Sequence, residues 1–194
     1  SYFSGHGDYD TTETLALRKE AFMRIARIVR DLPEVEYFSI SGSNAFPNAG
    51  GFYGDAFFAD TTQAAKEKGM HVQWTQNCCD EGSQFFLTYG MKDARNGKDI
   101  IVPVDAADRE LCFIPADKEK KLYGTVEVVG KKIFFAGGAQ SAEIAGVFED
   151  YKHRDYNQPY PFAVRFPKGL VSIFGNLEYA IVFCLKDGVD AKRF

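Results

Sequence analysis

Three histidines, His6, His71 and His153, set the first limit on catalysis. None has a second histidine at metal-ligand spacing and no H-E-x-x-H run occurs, so a zinc-dependent hydrolase is not written into the chain. His71 begins a strand directly after a helix stop, a place for a surface or core histidine. His153 is the better catalytic candidate, because in His153-Arg154-Asp155-Tyr156 an adjacent carboxylate and cation could tune its protonation. The competing account is a solvated helix exit, with Lys152 and His153 beside the negative end of the helix dipole. A Ser-His-Asp triad has no G-x-S-x-G elbow behind it. Ser41-Gly42-Ser43-Asn44 runs instead into Ala45-Phe46-Pro47, with no helix to supply oxyanion donors. Phosphate-cradling glycine loops are absent as well. The carboxylate clusters Asp8, Asp10, Glu13 and Asp105, Asp108, Glu110 do not follow the calcium-loop pattern. No metal and no cofactor is expected.

What this search leaves is aromatic. With 18 Phe, 10 Tyr and 1 Trp, the chain carries a large apolar payload that suits a β-rich core or a ligand surface and does not choose between the two. Phe46, Phe52, Tyr53, Phe57 and Phe58 crowd residues 41–58, and Tyr156, Tyr160 and Phe162 crowd residues 152–162, stretches whose Gly and Pro content reads as surface loop. Phenylalanines there should fold inward, whereas a tyrosine's polar tip tolerates a wet interface. The candidate ligand-binding set is therefore Tyr53, Tyr156, Tyr160, Arg154 and His153, together with Trp74, which reads equally as core or site. Asn157 and Gln158 lie close by in sequence.

The elements that must position these residues follow from periodicity. Residues 1–10 read as a loop or arm. An amphipathic helix runs from Thr11 or Thr12 to Pro33, with Leu15, Phe22, Ile25, Val29 and Leu32 on its core face and i,i+4 pairs Glu20–Arg24 and Arg27–Asp31 outside. A strand over 34–40 and a glycine-rich loop over 41–56 come next. A short helix then opens on a capping box of Asp60 and Gln63 and closes on a left-handed Gly69. Strand-like runs span 71–75, 84–89, 100–104, 111–114, 122–129 and 133–136, the last two joined by Gly130-Lys131. Residues 93–99 read as a polar connection turning at Asn96-Gly97. The spacing of Ile144, Val147, Phe148 and Tyr151 predicts a helix over 141–151, and a terminal hairpin joins 170–174 to 177–185 through Gly175-Asn176. The continuous apolar run 180–185 places that last strand centrally in its sheet. The element order does not alternate as β-α-β units do. The 194 residues thus form a single α+β domain, a mainly antiparallel sheet with an N-terminal amphipathic helix and two shorter helices.

Composition narrows the function classes. Lys and Arg number 23 against 27 Asp and Glu, a net charge of -4 that argues against a nucleic-acid partner. The longest apolar run, Tyr179–Leu185, is far shorter than the roughly 20 residues a membrane-spanning helix needs, so no membrane span is expected. Of the four cysteines, Cys78 and Cys79 are adjacent while Cys112 and Cys184 lie in strand-like runs. They read foremost as buried thiols acting as small hydrophobes; a bridge would run from Cys78 or Cys79 to Cys112 or Cys184. The chain opens on Ser1, as a trimmed chain or one that has lost a signal segment would, which leaves an extracytoplasmic location open.

The order of helix, strand, aromatic loop, short helix and antiparallel strands over residues 12–136 resembles that of PAS-like and Cache-like sensor domains. That resemblance implies a non-catalytic domain binding a small-molecule ligand. A helix followed by a cysteine-bearing sheet is also similar to pilin-like subunits, without their long apolar leading helix, and implies a structural or interaction subunit of a surface assembly with a protein partner. The third reading is an enzyme with a site around His153. Binding outranks catalysis.

Overall fold

The computed structural model describes residues 12–42, 53–102, 108–149, 162–168 and 179–192. Four helices, α1 (Thr12–Arg30), α2 (Gln63–Glu67), α3 (Phe85–Thr88) and α4 (Ala116–Tyr123), accompany eight strands. The strands are β1 (Val35–Gly42), β2 (Tyr53–Phe57), β3 (Met70–Cys78), β4 (Leu111–Pro115), β5 (Lys132–Phe135), β6 (Gln140–Phe148), β7 (Phe162–Phe166) and β8 (Tyr179–Leu185). They form one sheet in the order β5-β6-β4-β7-β3-β1-β8, with β2 also on β3. The domain is α+β as expected. The sheet is mixed, because β7 runs parallel to β3 and β4 parallel to β6 while the other pairs are antiparallel.

The sheet curls almost into a barrel. Phe58, just past β2, and Phe134 on β5 exchange two backbone hydrogen bonds, each 2.9 Å, joining the two sides of the β2-β3-β7-β4-β6-β5 series. Inside this curl pack Phe57, Val72, Cys112, Ile114, Ile133, Phe135, Ala142, Ile144 and Ala163. The other face of β4 and β7 carries a second core, where Phe86 touches the rings of Phe85, Phe113, Phe148 and Phe166. A third cluster lies under α1, where Met23 and Ala26 meet Val35, Phe38, Ile40, Cys78 and Tyr179.

Several elements differ from the expectation for identifiable reasons. The helix predicted over 141–151 is strand β6 as far as Phe148. Its ladder with β4 slips between Cys112–Ile144 and Phe113–Gly146, so one extra residue, Ala145, lets Ile144 and Val147 share the inner face at a spacing of three. A bulge thus imitates helical periodicity. Gly146 makes room for the Phe113 ring, since a Cβ there would approach Phe113 Cε1 to 2.8 Å. The predicted strand 84–89 is the turn of helix α3, in which Tyr89 stacks on Phe85 at 4.6 Å, one helical turn away. The predicted strand 122–129 gives way to α4, built from Asp, Lys and Glu after Pro115 and stopped by left-handed Gly124, so the 130–131 hairpin does not form and β5 pairs with β6. Part of the 41–56 loop, Tyr53 onward, is strand β2. Residues 100–102 carry no strand.

Smaller corrections concern caps and faces. Helix α2 is capped by Thr62, whose hydroxyl accepts from the Ala65 N–H at 3.2 Å, while Asp60 in turn accepts from Thr62. Gly69 is not left-handed; a Cβ there would lie 2.7 Å from the Phe58 ring. On α1, Ile25 is 51% exposed and the buried line shifts to Met23 and Ala26. Arg27 pairs with Glu81 at 3.0 Å, not with Asp31, and Arg30 joins the same carboxylate at 2.9 Å. Among the described residues strand β8 pairs with β1, and residues 170–174 of the expected terminal hairpin lie outside them; α1 covers one face of β8, and on the other the Cys184 thiol donates to Thr88 O at 3.0 Å. The 93–99 connection is a turn as expected, with Asp93 Oδ1 accepting from the Arg95 N–H and Asn96 N–H and with Gly97 left-handed.

All four cysteines are free. Burial pushes the Cys78 and Cys112 thiols from 9.0 up to about 12 and raises Cys184 as well. A thiol reagent at about pH 8 should therefore modify at most the half-buried Cys184 in the folded protein and all four cysteines in urea without reductant. Stability should hold below about pH 9 and fall above it, because the unfolded thiols ionise there while the folded ones keep their protons. Fewer than four reactive thiols in urea, or stability rising through that range, would contradict this arrangement.

Candidate functional site

At one end of the curled sheet a cavity of about 550 Å³ opens among Asp55, Trp74, Gln76, Glu110, Phe135, Ala136, Gln140, Ser141, Arg165 and Pro167. Ladder register explains why these residues meet. Trp74 and Gln76 lie two apart on β3 and so share a face, and Arg165 on β7 sits between Gln76 of β3 and Cys112 of β4. Asp55 on β2 pairs with Val72, which is an inward residue, and Phe135 of β5 stands opposite Gln140 of β6.

Arg165 dominates the site. Only 7% of it is exposed, its guanidinium carbon lies 4.6 Å from the Trp74 ring centre and 3.9 Å from that of Phe135, and its Nε is buried with no hydrogen-bond partner. No carboxylate among the described residues forms an ion pair with it. Burial lowers its pKa from the ordinary arginine value; at the high pH where an arginine titrates Cys112 opposes that effect most, followed by Glu110 and Asp55 from a distance. The thiol of Cys112, fully buried beside it, is neutral and offers no counter-charge.

The surrounding polar groups are held by the backbone. Asp55 Oδ1 accepts from the Ala56 N–H and Oδ2 from the Ala136 N–H, both at 2.7 Å. That second bond secures a turn in which Ala136 takes the left-handed conformation, φ 51°, at a cost of about 1–2 kcal/mol for a residue with a Cβ. Glu110 Oε1 accepts from the Lys168 N–H at 2.9 Å, and Tyr179 donates its hydroxyl to Gln76 Oε1 at 3.2 Å. Carboxylates with one or two bonds filled retain acceptor positions for a guest. Among the described residues no three metal-ligating side chains converge.

Of the residues singled out by sequence, Trp74 belongs to this cavity, and Tyr53 is its cross-strand partner in the β2–β3 ladder. His153, Arg154, Tyr156 and Tyr160 lie outside the described residues, as do Asn157 and Gln158. His71 sits exposed on β3, away from the cavity lining. Phe57 and Phe58 turn inward. Sequence reasoning missed Arg165, Asp55, Glu110, Gln76 and Phe135. The available signal was a charge in the middle of the apolar run Phe162-Ala163-Val164-Arg165-Phe166.

The fold is similar to that of three solved transporter regions. The periplasmic region of MacB from Actinobacillus actinomycetemcomitans aligns at a TM-score of 0.59 with 10% identity, over 88% of this chain and 67% of that one. The extracellular domain of the noncanonic ABC-type transporter YknZ from Gram-positive bacteria aligns at 0.54 with 11% identity, over 85% and 73%. A domain of a protein described as a permease, from Porphyromonas gingivalis, aligns at 0.53 with 20% identity, over 86% and 68%. At these identities the likeness is one of fold. No protein-family model matches the chain, and no curated protein matches it significantly in sequence.

A buried guanidinium without a bonded carboxylate is held at a cost in stability, which two ring stacks of about 0.5–2 kcal/mol each only partly offset. Arg165→Met keeps the apolar bulk and removes the charge. Urea unfolding should show stability unchanged or raised by up to about 2 kcal/mol. A loss of more than about 2 kcal/mol would mean that the charge holds the fold together.

Proposed function

We propose that the chain is an extracytoplasmic, non-catalytic binding domain of a transporter-type membrane assembly, in which the cavity around Arg165 senses a ligand. The observation that carries the location is the likeness, across 85% or more of the chain, to a periplasmic region and an extracellular domain of transporters. No described helix is long and apolar enough to cross a membrane. The binding reading is supported by a cavity lined with a sheltered charge, two carboxylates and two neutral amides, and by thiols held protonated. Tyr53, His153, Arg154, Tyr156 and Tyr160 extend the proposed contact set around Trp74.

A second reading, contact with a protein partner, is favoured by α1. Leu17, Ile25 and Ile28 are 51–61% exposed and fall within one side of the helix by their spacing. The two readings are compatible, since a transporter-type domain can bind a ligand on one face and a subunit on another.

Location is tested with the full-length protein in its own host. In a Cys184→Ser background, Asp187→Cys in the exposed turn after β8 should react with a membrane-impermeant maleimide in intact cells as completely as in lysed ones. Reaction only after lysis would contradict an extracytoplasmic location.

A further inference from the structure

We infer that the Arg165 cavity binds a small zwitterion, an α-amino acid or short peptide whose carboxylate lies on the guanidinium edge and whose ammonium lies toward Asp55 and Glu110. The rings of Trp74 and Phe135 already lie against the guanidinium, so what it has left to offer a guest is the hydrogen-bonding capacity of its N–H edge. That edge includes the buried, unbonded Nε. A planar N–H fork in a dry site fits a carboxylate in bidentate fashion.

Charge balance decides what accompanies the carboxylate. Among the described residues the lining carries one cation, Arg165, and two carboxylates, Asp55 and Glu110, neither of which is bonded to it. A phosphate or dicarboxylate would bring two negative charges toward two more and be opposed by both. A ligand with one carboxylate and one ammonium satisfies the guanidinium and gives the two carboxylates a partner. Gln76, Gln140 and Ser141 supply neutral donors and acceptors, and Trp74, Phe135, Ala136 and Pro167 offer apolar wall to a small aliphatic side chain. The cavity, about 550 Å³, has the size usual for small-molecule sites.

This inference rests on the binding part of the proposed function and not on cellular location, so the maleimide experiment and the one below fail independently. Trp74 is the chain's only tryptophan and stacks on Arg165, which makes its fluorescence a direct report on the cavity. The purified chain is titrated with L-leucine, alanyl-leucine, isoamylamine (leucine without its carboxylate) and 4-methylpentanoate (leucine without its ammonium). Leucine or alanyl-leucine should give a saturable change in Trp74 emission below about 10 mM, and each single-charge analogue should bind about tenfold or more weakly. Arg165→Gln should abolish the response with the melting transition retained. Asp55→Asn should weaken the zwitterions while improving 4-methylpentanoate. Should Arg165→Gln fail to fold, Glu110→Gln, on the exposed rim, must still weaken the zwitterions relative to 4-methylpentanoate. No saturable change with any probe, equal binding of 4-methylpentanoate and leucine, or a response surviving Arg165→Gln would each overturn the inference.

Discussion

A guanidinium in the middle of a sheet has to be solvated by something, and in this domain water is largely excluded from the task. The β3-β7-β4 arrangement, parallel on one side and antiparallel on the other, places Arg165 between Gln76 and Cys112 on the inward face. Removing that charge from water costs several kcal/mol unless protein groups replace the lost hydration. The rings of Trp74 and Phe135 do so in part, but the edge is left without a carboxylate within bonding distance among the described residues. The residue is therefore half-satisfied. Such an arrangement is expected where stability is exchanged for recognition.

Other parts of the fold can be understood as holding that arrangement open. The reciprocal bonds between Phe58 and Phe134 pull β2 toward β5, which brings Asp55 to the turn after Phe135 and fixes the ring that stacks on Arg165. The Phe57–Phe135 contact, 5.3 Å between ring centres, packs beneath that junction. On the opposite face of the sheet the five-ring cluster around Phe86 closes the core completely. The likeness to a periplasmic region and an extracellular domain of transporters is one of this curled scaffold.

Much of the architecture was legible in the sequence, and what was not has physical causes. The 3.6-residue pattern of α1, its end before Pro33, and the strands at 35–42, 70–78, 111–115 and 179–185 announce themselves through periodicity and turn residues. The β6 bulge defeated the same logic by shifting the alternation at Ala145, and α3 defeated it because a run of six residues fits either period. For the site, Trp74 and Tyr53 were visible as unplaced aromatics. Asp55 and Arg165 were not singled out and Glu110 entered only as part of a carboxylate cluster, since convergence across β2, β4's leading turn and β7 is a property of register and not of local pattern. Arg165 alone carried a local mark, its place inside an apolar strand.

The most direct measurement of this account is the nuclear magnetic resonance position of the Arg165 side-chain Nε–H, assigned by its loss in Arg165→Lys. With the rings of Trp74 and Phe135 both against the guanidinium and its Nε unbonded, that proton should resonate well upfield of those of the exposed arginines, displaced by the two ring currents. A resonance coincident with the exposed arginines would show that the guanidinium is solvated, and the central claim would then be wrong.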